Sequence, residues 1–187
     1  MEKVIAQLTL DHLRLKRIIK SLQHPVEHYL RGNGAAQPDL GIIKKVIEYA
    51  SVRGDQYHHL LEETLLLKLE VQITDQELLQ LFATIRQQHV QLDDLAKIIR
   101  GYFSAVDTEN AVPASEIVTA YSKYAAMQLE HMETEDDYFY PMIEQLFSND
   151  ELEAIQARFG LREDPLFCEK PEKSFSRLYD FVMASET

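Results

Sequence analysis

His131-Met132-Glu133-Thr134-Glu135, continued by Asp136-Asp137-Tyr138-Phe139-Tyr140-Pro141, is the stretch on which the reading of this chain turns. It reads as helix. Four residues at about 100° each bring His131 and Glu135 to the same face, one turn apart. A second copy of the pattern lies upstream in Tyr57-His58-His59-Leu60-Leu61-Glu62-Glu63. Two His-x-x-x-Glu pairs on two helices can surround one small volume with imidazoles and carboxylates. That is a donor set suited to a pair of iron or manganese ions, because a carboxylate can bridge two metals.

The rest of the chain reads as scaffold for these helices. It has 187 residues, enough for one domain with a sizeable core, and only six Gly, six Pro and no Trp. The formal charge of -12 disfavours nucleic acid and anionic membrane as partners. Cys168 is the only cysteine, so no intrachain disulfide forms. The opening Met1-Glu2-Lys3-Val4 lacks a signal-peptide pattern, and no apolar run approaches membrane-spanning length. The expectation is a soluble cytoplasmic protein.

Periodicity predicts a first helix from about Lys3 to Arg31, with stripe residues Ile5, Leu8, Leu15, Ile19 and Leu22 around His12. Pro25 is expected to kink or interrupt it, and Gly32-Asn33-Gly34 to end it. Asp39 is a plausible N-cap for a second helix from about Leu40 to Leu69. There His58 shares a face with Ile43, Ile47, Leu61 and Leu65. His59 shares one with Lys45, Glu48, Asp55, Gln56 and Glu70. His58 and Glu62 are therefore assigned to the interior, and His59 and Glu63 to the surface or to an outer supporting shell.

Thr74-Asp75-Gln76-Glu77 reads as the capping box of a third helix, which reaches about Phe103 with His89 in its apolar stripe. The fourth runs from about Ala114 to Phe147. Its wheel puts Tyr124, Met127, Tyr138 and Met142 on the interior face with His131 and Glu135. Ser148-Asn149-Asp150-Glu151 caps a short fifth helix that Gly160 should stop, and a further helix is expected from Glu172 to Ala184. Long helices joined by short connections imply an all-α fold: an antiparallel up-down-up-down four-helix bundle over residues 1–147, with a C-terminal helical extension over 148–187. That extension is too short to fold alone and is expected to pack on the bundle or on a partner.

Counted from the shared connections at about 1.5 Å per residue, His12 and His58 fall at one height, and His89 and His131 within about one turn of each other. A histidine on an apolar stripe is ordinarily just packed there. Here each helix supplies one, and two carry a carboxylate one turn away. A bundle interior holds buried carboxylates only if something neutralises them. The candidate metal ligands are His12, His58, Glu62, His89, His131 and Glu135. Asp93, one turn from His89, is expected to accept a hydrogen bond from a ligand imidazole, with direct ligation as the alternative. His24 and His28 are expected to be exposed.

The order His, His-x-x-x-Glu, His, His-x-x-x-Glu resembles the haemerythrin-like (HHE cation-binding) family. Asp11-His12, His58-x-x-x-Glu62-Glu63 and His131-x-x-x-Glu135 with Tyr138-Phe139-Tyr140-Pro141 look like its signature segments, over about residues 3–147. The resemblance implies a non-haem di-iron centre with Glu62 and Glu135 as bridges and the four histidines as terminal ligands, able also to take Mn or Zn. Oxygen-carrying members have His-x-x-x-His on the third helix and His-x-x-x-x-Asp on the fourth. This chain instead has His89 with Asp93, and His131 with Glu135. A four-His, two-Glu set is similar to bacterial proteins implicated in nitric-oxide response and repair of iron centres. The resemblance thus implies O2, NO or peroxide as the small ligand, in redox or nitrosative stress response or iron handling. The alternative is a di-iron sensor or interaction module that signals through the C-terminal segment, whose apolar Phe175, Leu178 and Phe181 suit a homodimer or protein partner.

Overall fold

Asp39 caps the second helical stretch, as its sequence context requires: its carboxylate accepts from the backbone N–H groups of Gly41 and Ile42 at 2.9 and 3.3 Å. The computed structural model describes residues 3–32, 34, 36–108, 111–159 and 163–186, without the side chains of residues 55 and 56. Asn33 of the first connection, the expected stop at Gly160 and the expected exposure of Asp55 and Gln56 lie outside what is described. Every regular element among the described residues is helical. Helix α1 spans Lys3–Leu30 and runs through Pro25 without interruption. Gly32 and Gly34 follow at φ 70° and 71°, a left-handed conformation that glycine adopts without a Cβ penalty.

The second stretch is not one α-helix. It is α2 (Leu40–Ala50), a π-helical segment Ser51–His58, and α3 (His59–Glu70). Helix α4 spans Gln76–Asp107. Its cap is Asp75, which accepts from Glu77 and Leu78 N–H, rather than the expected Thr74. The last long stretch is likewise divided into α5 (Ala114–Thr134), a π-helical turn Glu135–Phe139, and α6 (Tyr140–Leu146). Ser148 and Glu151 form the expected reciprocal box ahead of α7 (Asn149–Phe159). The final helix α8 is Ser176–Ala184, shorter at its start than the periodicity predicts.

The core falls into two apolar clusters. One contains Ile18, Leu22, Ile43, Ile47, Leu92, Ile99, Ile117 and Tyr121, and is closed by Leu166, Phe175, Leu178 and Val182 of the C-terminal segment. The other contains Val4, Leu8, Leu61, Leu65, Phe82, Ile85, Phe139 and Ile143, with Leu152 and Ile155 of α7. On each long stretch the changeover from one cluster to the other falls at or beside a histidine or a His–Glu pair, Tyr57 of the second cluster lying next to His58. The polar residues thus form one layer across the interior. Leu178 and Val182 of α8 are buried where α8 packs on α1 and α2. Among the described residues, no helix is long and apolar enough to cross a membrane.

Candidate metal centre

The polar layer brings together all six candidate ligands. Glu62, His131 and Glu135 are fully buried, His12 and His58 nearly so, and His89 is 12 % exposed. Glu62 stands between two histidine groups: Oε1 lies 3.0 Å from His58 Nε2, and Oε2 lies 3.4 Å from His89 Nε2. Glu135 does the same, with Oε2 3.4 Å from His12 Nε2 and 3.1 Å from His131 Nε2, and Oε1 3.4 Å from His89 Nε2. His12 Nε2 and His58 Nε2 are 3.0 Å apart.

These spacings suit shared coordination. Donors bonded at about 2.1 Å to one first-row metal ion stand about 3.0 Å apart in an octahedron and about 3.4 Å apart in a tetrahedron. Two overlapping sets of side chains each bring their donor atoms within 4.8 Å of one another: His12, His58, Glu62 and Glu135, and His59, Glu62, His89 and His131. Glu62 belongs to both. The buried Glu62 Oε2, His89 Nε2, His131 Nε2 and both Glu135 oxygens make no hydrogen bond, which an apolar interior penalises strongly. The residues therefore fit a metal-binding group.

His59 belongs to this layer, contrary to its expected surface or outer-shell place. It is half-buried, stacked on His89 with ring centroids 4.2 Å apart. A wheel drawn at 100° per residue fails here because the Ser51–His58 segment is π-helical. It takes about one more residue per turn and so rotates the helix C-terminal to it. The same effect acts at Glu135–Phe139. Tyr138, expected inside, is 62 % exposed, whereas Phe139 and Tyr140 are buried.

Each imidazole with a defined second contact is held at Nδ1, leaving Nε2 turned to the centre. Asp136 Oδ1 is 2.8 Å from His12 Nδ1, Asp11 Oδ2 is 3.3 Å from His58 Nδ1, and Gln88 Oε1 is 3.2 Å from His131 Nδ1. Asp11 is in turn held by buried Arg53 at 2.8 Å, and Asp136 by Lys16 at 2.5 Å. The sequence reading gave the supporting role to Asp93 instead. That residue points outward to Lys97 at 2.5 Å and Arg100 at 3.7 Å. It lies four residues beyond His89 on α4, yet its carboxylate is met by two exposed cations rather than by the imidazole. Asp136 could have been found in the sequence, being adjacent to Glu135 and 120 residues from Lys16, only by knowing that a π turn starts there.

Tyr140 was also missed. Its hydroxyl donates to Glu62 Oε1 at 2.5 Å and lies 3.0 Å from His12 Nε2 and 3.4 Å from His58 Nε2. His24 and His28 are exposed and stack on each other, as their positions on α1 predict.

Without metal, the layer is a set of ion pairs. Burial pulls the His58 imidazole down, but Glu62 and Asp11 outweigh it and raise it to about 10. Burial likewise opposes His89, which Glu135 and Glu62 raise to about 9. His12 is raised against burial by Asp136 and Glu135. Burial, and then the neighbouring His89, hold His59 well below its usual range and keep it neutral. Glu62 is held low against burial by His58 and His89. In this state protons occupy the positions that metal ions would otherwise neutralise.

Beside the layer is a cavity of about 30 Å³, walled by Leu15, Ala50, Leu92, Ala96, Tyr124 and Gln128 and reaching His58 and His59. It has room for about one water-sized molecule.

A sequence model of the hemerythrin HHE cation binding domain matches residues 3–143. No curated protein and no solved structure matches the chain.

Proposed function

The chain belongs to the hemerythrin HHE cation-binding family, and from that premise we propose that it is a non-haem di-iron protein that meets O2, NO or peroxide in redox or nitrosative stress response or in iron handling. In this reading His12, His58, Glu62, His89, His131 and Glu135 are the ligands, with Glu62 and Glu135 as bridges. The observation that carries it is the placement of Glu62, whose two oxygens face different histidine groups in the buried layer.

The scaffold in this reading is an antiparallel up-down-up-down four-helix bundle over residues 1–147, with residues 148–187 as an extension. The order of the apolar clusters supports it. Along α1 and α4 the Leu8/Phe82 cluster precedes the histidine and the Leu22/Ile99 cluster comes after it. Along the stretches from α2 to α3 and from α5 to α6 the order reverses, as alternating helix directions require.

Bound iron would supply one-electron chemistry and open coordination positions. The chain's own side chains do the rest. Asp136, Asp11 and Gln88 fix the imidazole orientation through Nδ1. The surrounding apolar clusters exclude bulk water and so strengthen every charge interaction inside. The cavity next to His58 and His59 limits the ligand to a few atoms.

The test is metal content on protein purified without added metal and then loaded anaerobically with ferrous iron, with spectra before and after exposure to air. About two irons per chain, with near-ultraviolet absorption that bleaches on reduction, are expected. A folded chain that takes up no ferrous iron would overturn the assignment.

A second reading, a sensor signalling through the C-terminal segment, is favoured by one further observation. His58 contacts Asp11, Asp11 lies 3.9 Å from Arg14, and Arg14 lies 3.3 Å from buried Asp164. Asp164 accepts from Leu166 and Phe167 N–H at 2.8 Å each. A ligand imidazole is thereby joined to the segment that carries α8. Hydrogen exchange across residues 163–186, with and without iron, tests it: unchanged protection would remove the reading.

A further inference from the structure

We infer that the phenol oxygen of Tyr140 is itself a ligand of the ion held by His12, His58, Glu62 and Glu135, so that the two ions have unlike surroundings. The inference rests on the di-metal reading above and adds a donor to it.

Geometry carries it. Tyr140 Oη is 2.5 Å from Glu62 Oε1, 3.0 Å from His12 Nε2 and 3.4 Å from His58 Nε2. The two imidazole distances match separations within this set: His12–His58 and His58–Glu62 at 3.0 Å, and His12–Glu135 at 3.4 Å. The oxygen thus occupies one more vertex of the same polyhedron. A phenol with one proton is satisfied by donating to Glu62 and needs no pair of imidazole nitrogens around it.

The backbone supports the same assignment. In an α-helix, residue 140 would lie about 140° around the axis from residue 135. Here the Tyr140 N–H donates to the Glu135 carbonyl five residues back, closing the π turn and stacking Tyr140 over Glu135. The ring is then fixed by His12, whose plane lies 24° from it with centroids 5.2 Å apart. Single π turns of this kind recur where a side chain must be re-aimed at a site. On metal binding, the O–H bond of Tyr140 breaks, an oxygen–metal bond forms, and the proton passes to solvent; no electron is transferred.

His59, stacked on His89, completes the other set. One ion is therefore met by a phenol oxygen and the other by an additional imidazole.

The experiment uses the full chain, loaded with ferrous iron without air and then oxidised in air, read by visible absorption and resonance Raman. The expected result is a phenolate-to-ferric charge-transfer band with tyrosinate ring vibrations. These vanish in Tyr140→Phe and in Tyr140→His while iron stays bound, and persist in Tyr124→Phe. If the wild-type chain binds two irons and shows no tyrosinate vibrations, the inference is overturned and the di-iron reading stands. Vibrations that survive in both Tyr140 variants and vanish in Tyr124→Phe overturn it as well. Failure of the wild-type chain to take up iron overturns both.

Discussion

His12 and Asp136 are 124 residues apart in the chain and 2.8 Å apart in the fold, imidazole Nδ1 to carboxylate. The pair ties α1 to the π turn behind Glu135 and sets which ring nitrogen faces the centre. Asp136→Asn keeps the shape and removes the charge. The expected outcome is a roughly 10- to 100-fold loss of metal affinity, read by competition with a chelator, with the helical content unchanged.

Glu62 belongs to both donor sets, whereas His131 belongs to one. Glu62→Ala is therefore expected to leave almost no bound metal, and His131→Ala to leave about one ion per chain. Elemental analysis of the two variants after identical loading checks this. Equal losses would contradict the sharing of Glu62.

In the proposed centre, proton and metal compete for the same nitrogens. Burial lowers His58 and His89, but their carboxylate neighbours raise them to about 10 and about 9, above the ordinary imidazole value. The metal-free fold therefore binds more protons than the unfolded chain between about pH 6.5 and these values. The stabilisation is complete below about pH 6.5 and is lost as pH rises through 9 and 10. Metal-free protein is expected to melt at lower temperature at pH 9.5 than at pH 6.5. Metal loading at pH 7.5 should release protons, so affinity should rise over the same interval. Melting curves of both forms and calorimetry in buffers of different ionisation heat measure the two trends.

Asp164 is 3 % exposed and accepts from Tyr49 Oη and from the Leu166 and Phe167 N–H groups, all at 2.8 Å. Asp164→Ala strands these donors and leaves Arg14 without that carboxylate. A loss of about 2–3 kcal/mol is expected from urea unfolding. Hydrogen exchange should place the lost protection in the segment leading to α8.

Neighbouring aromatics at the second π turn make opposite predictions. Tyr138 is 62 % exposed, and Phe139 is fully buried against Phe82 at a ring distance of 6.3 Å. Tyr138→Ala should change stability by no more than about 0.5 kcal/mol. Phe139→Ala should cost about 3–5 kcal/mol. Thermal denaturation of the two variants gives the contrast directly.

Much of this was legible in the chain. One histidine per apolar stripe, with Glu62 and Glu135 four residues behind His58 and His131, was enough to name the six side chains that the fold brings into one layer. The capping residues Asp39 and Ser148 came from local chemistry. The misplaced residues depended on helix type. A wheel at 3.6 residues per turn sent His59 outward and Tyr138 inward, and gave Tyr140 no role at the site. Two segments have i→i+5 bonds, which side-chain pattern does not announce. Asp93 was misread for another reason. Its neighbours Lys97 and Arg100 compete for the carboxylate and lie on the exposed side of α4. Asp11 and Arg53 meet across 42 residues, a contact that only the assembled fold creates.

The Ser51–His58 segment makes the centre depend on chain length as much as on side-chain identity. Its extra residue per turn is an insertion that the helix absorbs without breaking. Removing one residue there would let the backbone close to ordinary α-helix with His58 near its present face, whereas one added beside exposed Val52 has no further wide turn to absorb it and would swing His58 by about 100° relative to the helix before it. Such an insertion should yield a helical protein that no longer binds metal, as circular dichroism and elemental analysis would report. Every donor would still be present in its sequence, so a tally of ligand residues across length variants would overcount the proteins able to use them.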